Sequence, residues 1–244
     1  MNAIQNTNLK EEWDILNYYS DKYGYYSVAA LIIKYHILIK SFDFYINGED
    51  KDFKEKFYRA KEMLQDHYNN TSRTPNFNPD ANPIQSFVID GEIQIEYSKF
   101  SYQEKYSLSG ESVQEKVLKV CSEHSNLIDA NKFYIYAINT NNEPIIYMNS
   151  IPISELIRGR RYLTYNSLPI VHPILLHKES LIAKGAGEVI FIKNRLGNVS
   201  GIILNNKSGH FRPPVSTLNR VKKSFSEYFK ISMKNIIDIK IEGV

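Results

Sequence analysis

The residue types best suited to chemistry gather near the end of this 244-residue chain, in the stretch "NNKSGHFRPP" at 205–214. An apolar run stops there and a Ser-Gly pair turns the chain. A histidine, an aromatic and an arginine follow before a double proline. A histidine with a pKa near 7 can move a proton, and an arginine can hold a phosphate in bidentate fashion or stabilise developing charge. Upstream, "LPIVHPILLHKESLIAKGAGE" adds His172 inside an apolar run, Lys184 and Glu188. The catalytic set read from the sequence is therefore His210, His172, Glu188 and Arg212, with Ser208, Gly209, Lys184 and Arg160 on the substrate. These are the parts of metal-independent phosphodiester cleavage, and equally of a site that binds a dinucleotide and transfers its ADP-ribose. In that second case NAD is a substrate, and no resident cofactor is expected. A serine nucleophile is disfavoured by the lack of a Gly-x-Ser-x-Gly elbow, and Ser208 is read as a turn cap or ligand contact. No metal is expected, because no His-x-Glu or paired-His spacing marks a ligand set.

Parity supplies the geometry of this reading. In "EVIFIK" Glu188, Ile190 and Ile192 share one strand face, with Val189 and Phe191 on the other. If the chain stays extended through 208–212, Ser208, His210 and Arg212 project together and Phe211 anchors behind them. Gly209 is then the residue free to take a positive φ, and Pro213 and Pro214 fix the exit. The reading requires His210, Arg212 and Glu188 to open onto one pocket. "IRGRRYLTY", with Arg158, Arg160 and Arg161 beside Tyr162 and Tyr165, could track a nucleic-acid backbone, since cations serve phosphates and aromatics stack on bases. A solvated basic loop is its plainer interpretation. His36, His67, His124 and His177 are given no role. Cys121 is read as a buried structural cysteine despite His124 three residues on.

The elements that must position these groups follow from periodicity. Apolar residues recur at three and four positions from Glu11 to Lys40 with a break near Gly24, so two helices are predicted, and "KDFKEKFYRAKEMLQDHYNN" predicts a third. Residues 1–70 form a helical N-terminal region. "TSRTPNFNPDANP", with three prolines and four Asn or Asp, predicts a linker over 71–83. Residues 84–244 form the module expected to carry the chemistry. Within it, Asp90-Gly91 marks a hairpin and Glu111–His124 has helical spacing. "KFYIYAIN", "EPIIYMN", "GEVIFIK" and "VSGIILNN" read as strands. A helix at about 216–228 and a closing "IIDIKI" strand complete an α+β fold, a helical part followed by a mostly antiparallel sheet flanked by helices.

Composition bounds the function classes. With 43% apolar residues the chain can bury a core and should fold as a soluble globule. It holds no run of the roughly 18–20 apolar residues needed to cross a bilayer and no secretory signal pattern. One cysteine forbids an internal disulfide, and a cytoplasmic setting, or delivery into a target cell's cytoplasm, is the expectation. Residues 1–150 carry 15 Lys/Arg against 21 Asp/Glu, a net −6, whereas 151–244 carry 15 against 6, a net +9. A basic C-terminal half suits an anionic partner such as a nucleotide or RNA. Acidic and basic halves facing one another would give the same numbers.

In order and spacing, "FYIYAIN", "PIIYMN", "VHPILL", "LIAKGAGEVIF" and "GNVSGIILNNKSGHFRPPVSTLNRVKKSF" resemble a C-terminal module. It is shared by plant IQ-motif calmodulin-binding proteins and by bacterial toxin- or effector-like proteins with a Ser-Gly-His-aromatic-basic-Pro signature. The resemblance covers about residues 131–242. It places His172, Gly187, Glu188, Ser208, Gly209, His210, Phe211, Arg212 and Pro213 at the family's motif positions. Phe211 stands where a tyrosine is usual, so any role for that hydroxyl is lost. No IQ motif is present, so no calmodulin partner is expected. The function expected is a bacterial toxin- or effector-type enzyme acting on a nucleotide-bearing substrate. The alternative is a non-catalytic protein-binding module in which the Ser-Gly-His-Phe-Arg turn is a rigid recognition edge.

Overall fold

A computed structural model describes residues 9–48, 52–71, 84–89, 91–97, 115–157, 164–165, 168–176 and 181–242. The predicted linker, apart from Thr71, and "IRGRRY" from Arg158 onward lie outside these residues, as do His177, Glu179 and Ser180. The fold is α+β. Helices α1 (Leu9–Tyr23), α2 (Val28–Asn47) and α3 (Asp52–Thr71) precede the sheets. The break between α1 and α2 falls at Gly24, whose φ of 92° suits glycine. Ser27 then caps α2, its Oγ accepting from the Ala30 amide at 3.2 Å.

The strands are β1 (Ile84–Ile89), β2 (Glu92–Tyr97), β3 (Val117–Lys119), β4 (Phe133–Ile138), β5 (Pro144–Tyr147), β6 (Thr164–Tyr165), β7 (Leu168–Pro169), β8 (Ile182–Ala183), β9 (Gly185–Lys193), β10 (Val199–Asn205) and β11 (Ile236–Ile239). A six-stranded sheet runs β11-β10-β9-β4-β5-β3, antiparallel except for the β10–β11 pair. β1, β2 and β8 make a second, three-stranded sheet, and β6 pairs with β7. Helix α4 (Leu218–Phe229) follows β10. Among the described residues no helix is long and apolar enough to cross a membrane.

Strand alternation gives the large sheet two apolar faces. Val189 and Phe191 of β9, with Tyr134, Tyr136, Ile202 and Leu204, pack against Leu218, Val221, Phe225 and Phe229 of α4. The opposite face is shared by two clusters. Ile190, Ile192, Ile203, Ile237 and Ile239 join the helices through Tyr35, Leu38, Phe42 and Leu64. Ile135, Ala137 and Ala186 join Tyr97, Ile174, Leu175 and Phe211. Helix α2 buries residues around much of its circumference because α1, α3 and the sheet surround it.

The helix expected over 111–124 is not found where the chain is described. Val117–Lys119 instead forms edge strand β3 against β5, with Leu118 opposite Ile146, and a short 3-10 helix follows at Ser122–Leu127. A short apolar run fits either period, and here the open edge of β5 supplies the backbone partners. Cys121 differs from expectation too, being partly exposed. Its Sγ lies 3.2 Å from His124 Nδ1, which also accepts from the Cys121 amide.

Candidate functional site

The turn 208–212 is not extended. The Arg212 amide donates to the Ser208 carbonyl at 2.7 Å, closing the chain on itself over four residues, so the parity expected to align Ser208, His210 and Arg212 does not hold. Ser208 is fully buried, and its Oγ accepts from the Phe211 amide at 3.3 Å, the capping role read for it. Phe211 is also fully buried and lies edge-on to Tyr97. The left-handed residue of the turn is Arg212, at φ 44°, and not a glycine. For a residue with a β-carbon this conformation costs about 1–2 kcal/mol. Burial pushes the Arg212 guanidinium below its usual pKa. Gly209 and His210 are both half-buried, and the His210 ring stands edge-on to Tyr97 at 5.8 Å between centroids. Substituting Ser208 by Ala leaves the Phe211 amide buried without its acceptor. A loss of about 1–2 kcal/mol in urea unfolding is expected.

Two asparagines hold this turn to the sheet. The Asn205 side chain donates to Glu188 Oε2 at 3.0 Å and accepts from the Glu188 and Lys207 amides at 3.0 and 2.9 Å. Asn206, also buried, donates to the Pro213 and Ile241 carbonyls and accepts from the Ile241 amide, each at 2.9 Å. The exit from the turn is thereby tied to the end of β11. Neither asparagine belongs to the site set expected from the sequence. Their signal is a pair of amides closing an apolar strand, where each buried polar group must find partners.

Glu188 sits within β9, opposite Ile135, between the two apolar clusters of the helix-side face. Besides Asn205 it meets Lys207 Nζ at 3.6 Å. Below it lie Tyr35 and Tyr68, whose hydroxyls are 2.7 Å apart. Burial raises both tyrosine pKa values, and the Glu188 charge adds to this. Both phenols are neutral hydrogen-bonding groups at ordinary pH.

His172 opens a 3-10 helix (His172–Leu176) and is buried, with Nε2 2.9 Å from the Gly187 carbonyl. A pairing with that carbonyl makes Nε2 the protonated nitrogen. The structure thus ties His172 to the strand that carries Glu188. Gly187 itself admits no side chain, because a β-carbon would collide with the Asn205 carbonyl.

Lys184 lies elsewhere. Its buried Nζ is 3.0 Å from Glu92 Oε2 and donates to Asn142 Oδ1 at 3.1 Å. It lines a cleft of about 400 Å³ together with residues of the β1–β2 turn and the start of α4. His210, His172, Glu188 and Arg212 line neither this cleft nor another of about 450 Å³ between α3 and Lys240. Arg160 lies outside the described residues. Among the described residues no group of three or more His, Cys, Asp or Glu could hold a metal ion.

The chain matches no protein-family model, no curated protein and no solved structure. Any role for the site therefore rests on its geometry and on the motif itself. The 208–212 turn is anchored at Ser208 and Phe211, and it holds His210 and Arg212 two residues apart at the partly exposed end of the β9–β10 pair.

Proposed function

We propose that the chain is a toxin- or effector-type enzyme acting on a nucleotide-bearing substrate at the 208–212 turn. The chemistry is metal-independent cleavage of RNA or ADP-ribosyl transfer from NAD. His210 moves the proton and Arg212 holds the phosphate. Glu188 is the partner carboxylate, oriented by Asn205 and Lys207. His172 is a positioning residue, acting through the Gly187 carbonyl, and Ser208 shapes the turn.

The observation that carries this reading is the left-handed Arg212. Strained non-glycine backbone gathers at functional sites, where the surrounding fold holds a group in place against its own preference. Here Ser208 and Phe211 supply the hold, while His210 stays partly exposed. The Ser-Gly-His-aromatic-basic-Pro resemblance and the basic C-terminal half support the same reading. Expression of the chain and of His210→Ala in a bacterium, with RNA integrity and NAD content followed together, tests it. The parent depletes one of the two, and the variant loses at least about a hundredfold of that activity while keeping its fold.

The binding-module reading is favoured by a different observation. His172, Ser208 and Glu188 all have intramolecular partners already. It predicts a stable protein complex, and neither RNA loss nor NAD loss on expression.

A further inference from the structure

The cleft between the β1–β2 turn and α4 lies outside the 208–212 turn, although Lys184, read from the sequence as a substrate contact, lines it. Its walls include Glu92 from the hairpin, Lys184 from the β8–β9 junction, and Arg220 and Lys223 from the first turns of α4. Three cations face one carboxylate. Glu92 bridges two of them, with Oε2 3.0 Å from Lys184 Nζ and Oε1 against Arg220. Both cations also donate to Asn142 Oδ1, at 3.1 and 2.8 Å. Lys184, whose side chain is 9% exposed, is thus a buried charge held facing Glu92.

One carboxylate leaves this wall with a net charge of +2. Lys223 contributes part of that excess, because its ion pair with Glu227 is long, at 3.9 Å, and solvent-exposed at both ends. The first turn of α4 contains no acidic residue, so the only carboxylate among the residues lining the cleft comes from the distant hairpin. A volume of about 400 Å³ is far more than Glu92 fills and is in the range of small-molecule sites.

We propose that this cleft binds a phosphate-bearing anion of diphosphate size, with Arg220 and Lys223 holding the phosphates and Lys184 supplying the buried charge. Glu92 is the internal carboxylate that occupies part of the site when it is empty. An arginine beside lysines is the set that recognises phosphate oxygens, through bidentate and point-charge contacts respectively. The site is separate from the 208–212 turn, so it stands whether or not His210 performs catalysis.

Titration of the intact chain with inorganic pyrophosphate and, separately, with ADP at about 0.15 M salt tests this by calorimetry. Binding by either probe is expected, weakened about tenfold by Arg220→Ala. Lys223→Ala removes an exposed charge without touching the Glu92 bridge. It should weaken binding several-fold and leave unfolding of the free protein unchanged. Glu92→Gln removes the competing carboxylate and should tighten binding, the reverse of what a merely structural bridge would give. Equal affinity for the two probes assigns recognition to phosphate alone, and a preference for ADP adds a nucleoside to the site. No heat and no thermal shift with either probe at millimolar concentration, or binding that Arg220→Ala and Lys223→Ala both leave intact, overturns the proposal.

Discussion

Substitution of Gly187 by Ala is expected to destabilise the protein by about 3 kcal/mol, lowering the thermal midpoint by roughly 10 °C for a chain of this length. Gly187 pairs with Tyr136 on one side, and on the other it lies against β10. A β-carbon there would run into the Asn205 carbonyl and come within 3.1 Å of Asn206 Cα. Both obstacles are backbone, in the strand end that Tyr136 also grips by donating to the Asn205 carbonyl at 2.8 Å. A rotamer change cannot relieve the clash, so β9 or β10 must move. Movement of β9 would also disturb the His172 contact and the Asn205–Glu188 pair. Far-UV circular dichroism on heating is the check, and a midpoint within about 2 °C of the parent would show that the strand pair yields more easily than its packing implies.

A second large effect is expected on acidification, and its source is the helical half. Lys34 of α2 is fully buried. Its Nζ donates to the Tyr25 carbonyl at 2.9 Å, lies 3.3 Å from His67 Nδ1 and sits 3.3 Å from the Tyr25 ring centre. An ammonium group has no acceptor, so His67 must offer Nδ1 as one and remain neutral. Burial, with the Lys34 charge adding to it, pushes His67 from 6.5 down to about 4, and burial pushes Lys34 from 10.5 down to about 8.

In both cases the folded pKa lies below the unfolded one, so the unfolded chain binds more protons within each window. Stability therefore falls as pH drops from 6.5 to 4 through His67, by up to about 3 kcal/mol. It rises as pH climbs from 8 to 10.5 through Lys34. His67→Gln keeps an acceptor for Lys34 and cannot be protonated in this range. Urea midpoints at pH 6.5 and 4.5 should differ clearly in the parent and much less in the variant. An equal drop in both proteins would move the acid sensitivity to other groups.

Helix periods were legible in α1 and α3 because both keep apolar and polar faces through many turns, and in α2 because its apolar residues recur at three and four positions although most of its circumference is buried; Gly24 marks the break. The β9–β10 hairpin and the α+β order were legible for the same reason, period two between turn residues. Val117–Lys119 was not, because three residues carry no period and the pairing strand β5 decides their conformation. Within the candidate site, residue types were readable but direction was not. His210 and Arg212 were identified by chemistry, yet their presentation depends on the Arg212-to-Ser208 hydrogen bond, which parity cannot anticipate. The surroundings of Lys184 were not legible, because its neighbours Glu92 and Asn142, and Arg220 beyond them, are distant in sequence. His67, assigned no role as a helix-face histidine, proved to be buried against a lysine.

Action of the 208–212 turn on a nucleotide is tested most directly by incubating the purified chain and its His210→Ala variant with total RNA and with NAD and following both by chromatography. The parent is expected to convert one of the two, and the variant, equally well folded, to convert it at least about a hundredfold more slowly. Recovery of both substrates intact from the parent, or unchanged conversion by the variant, would contradict it.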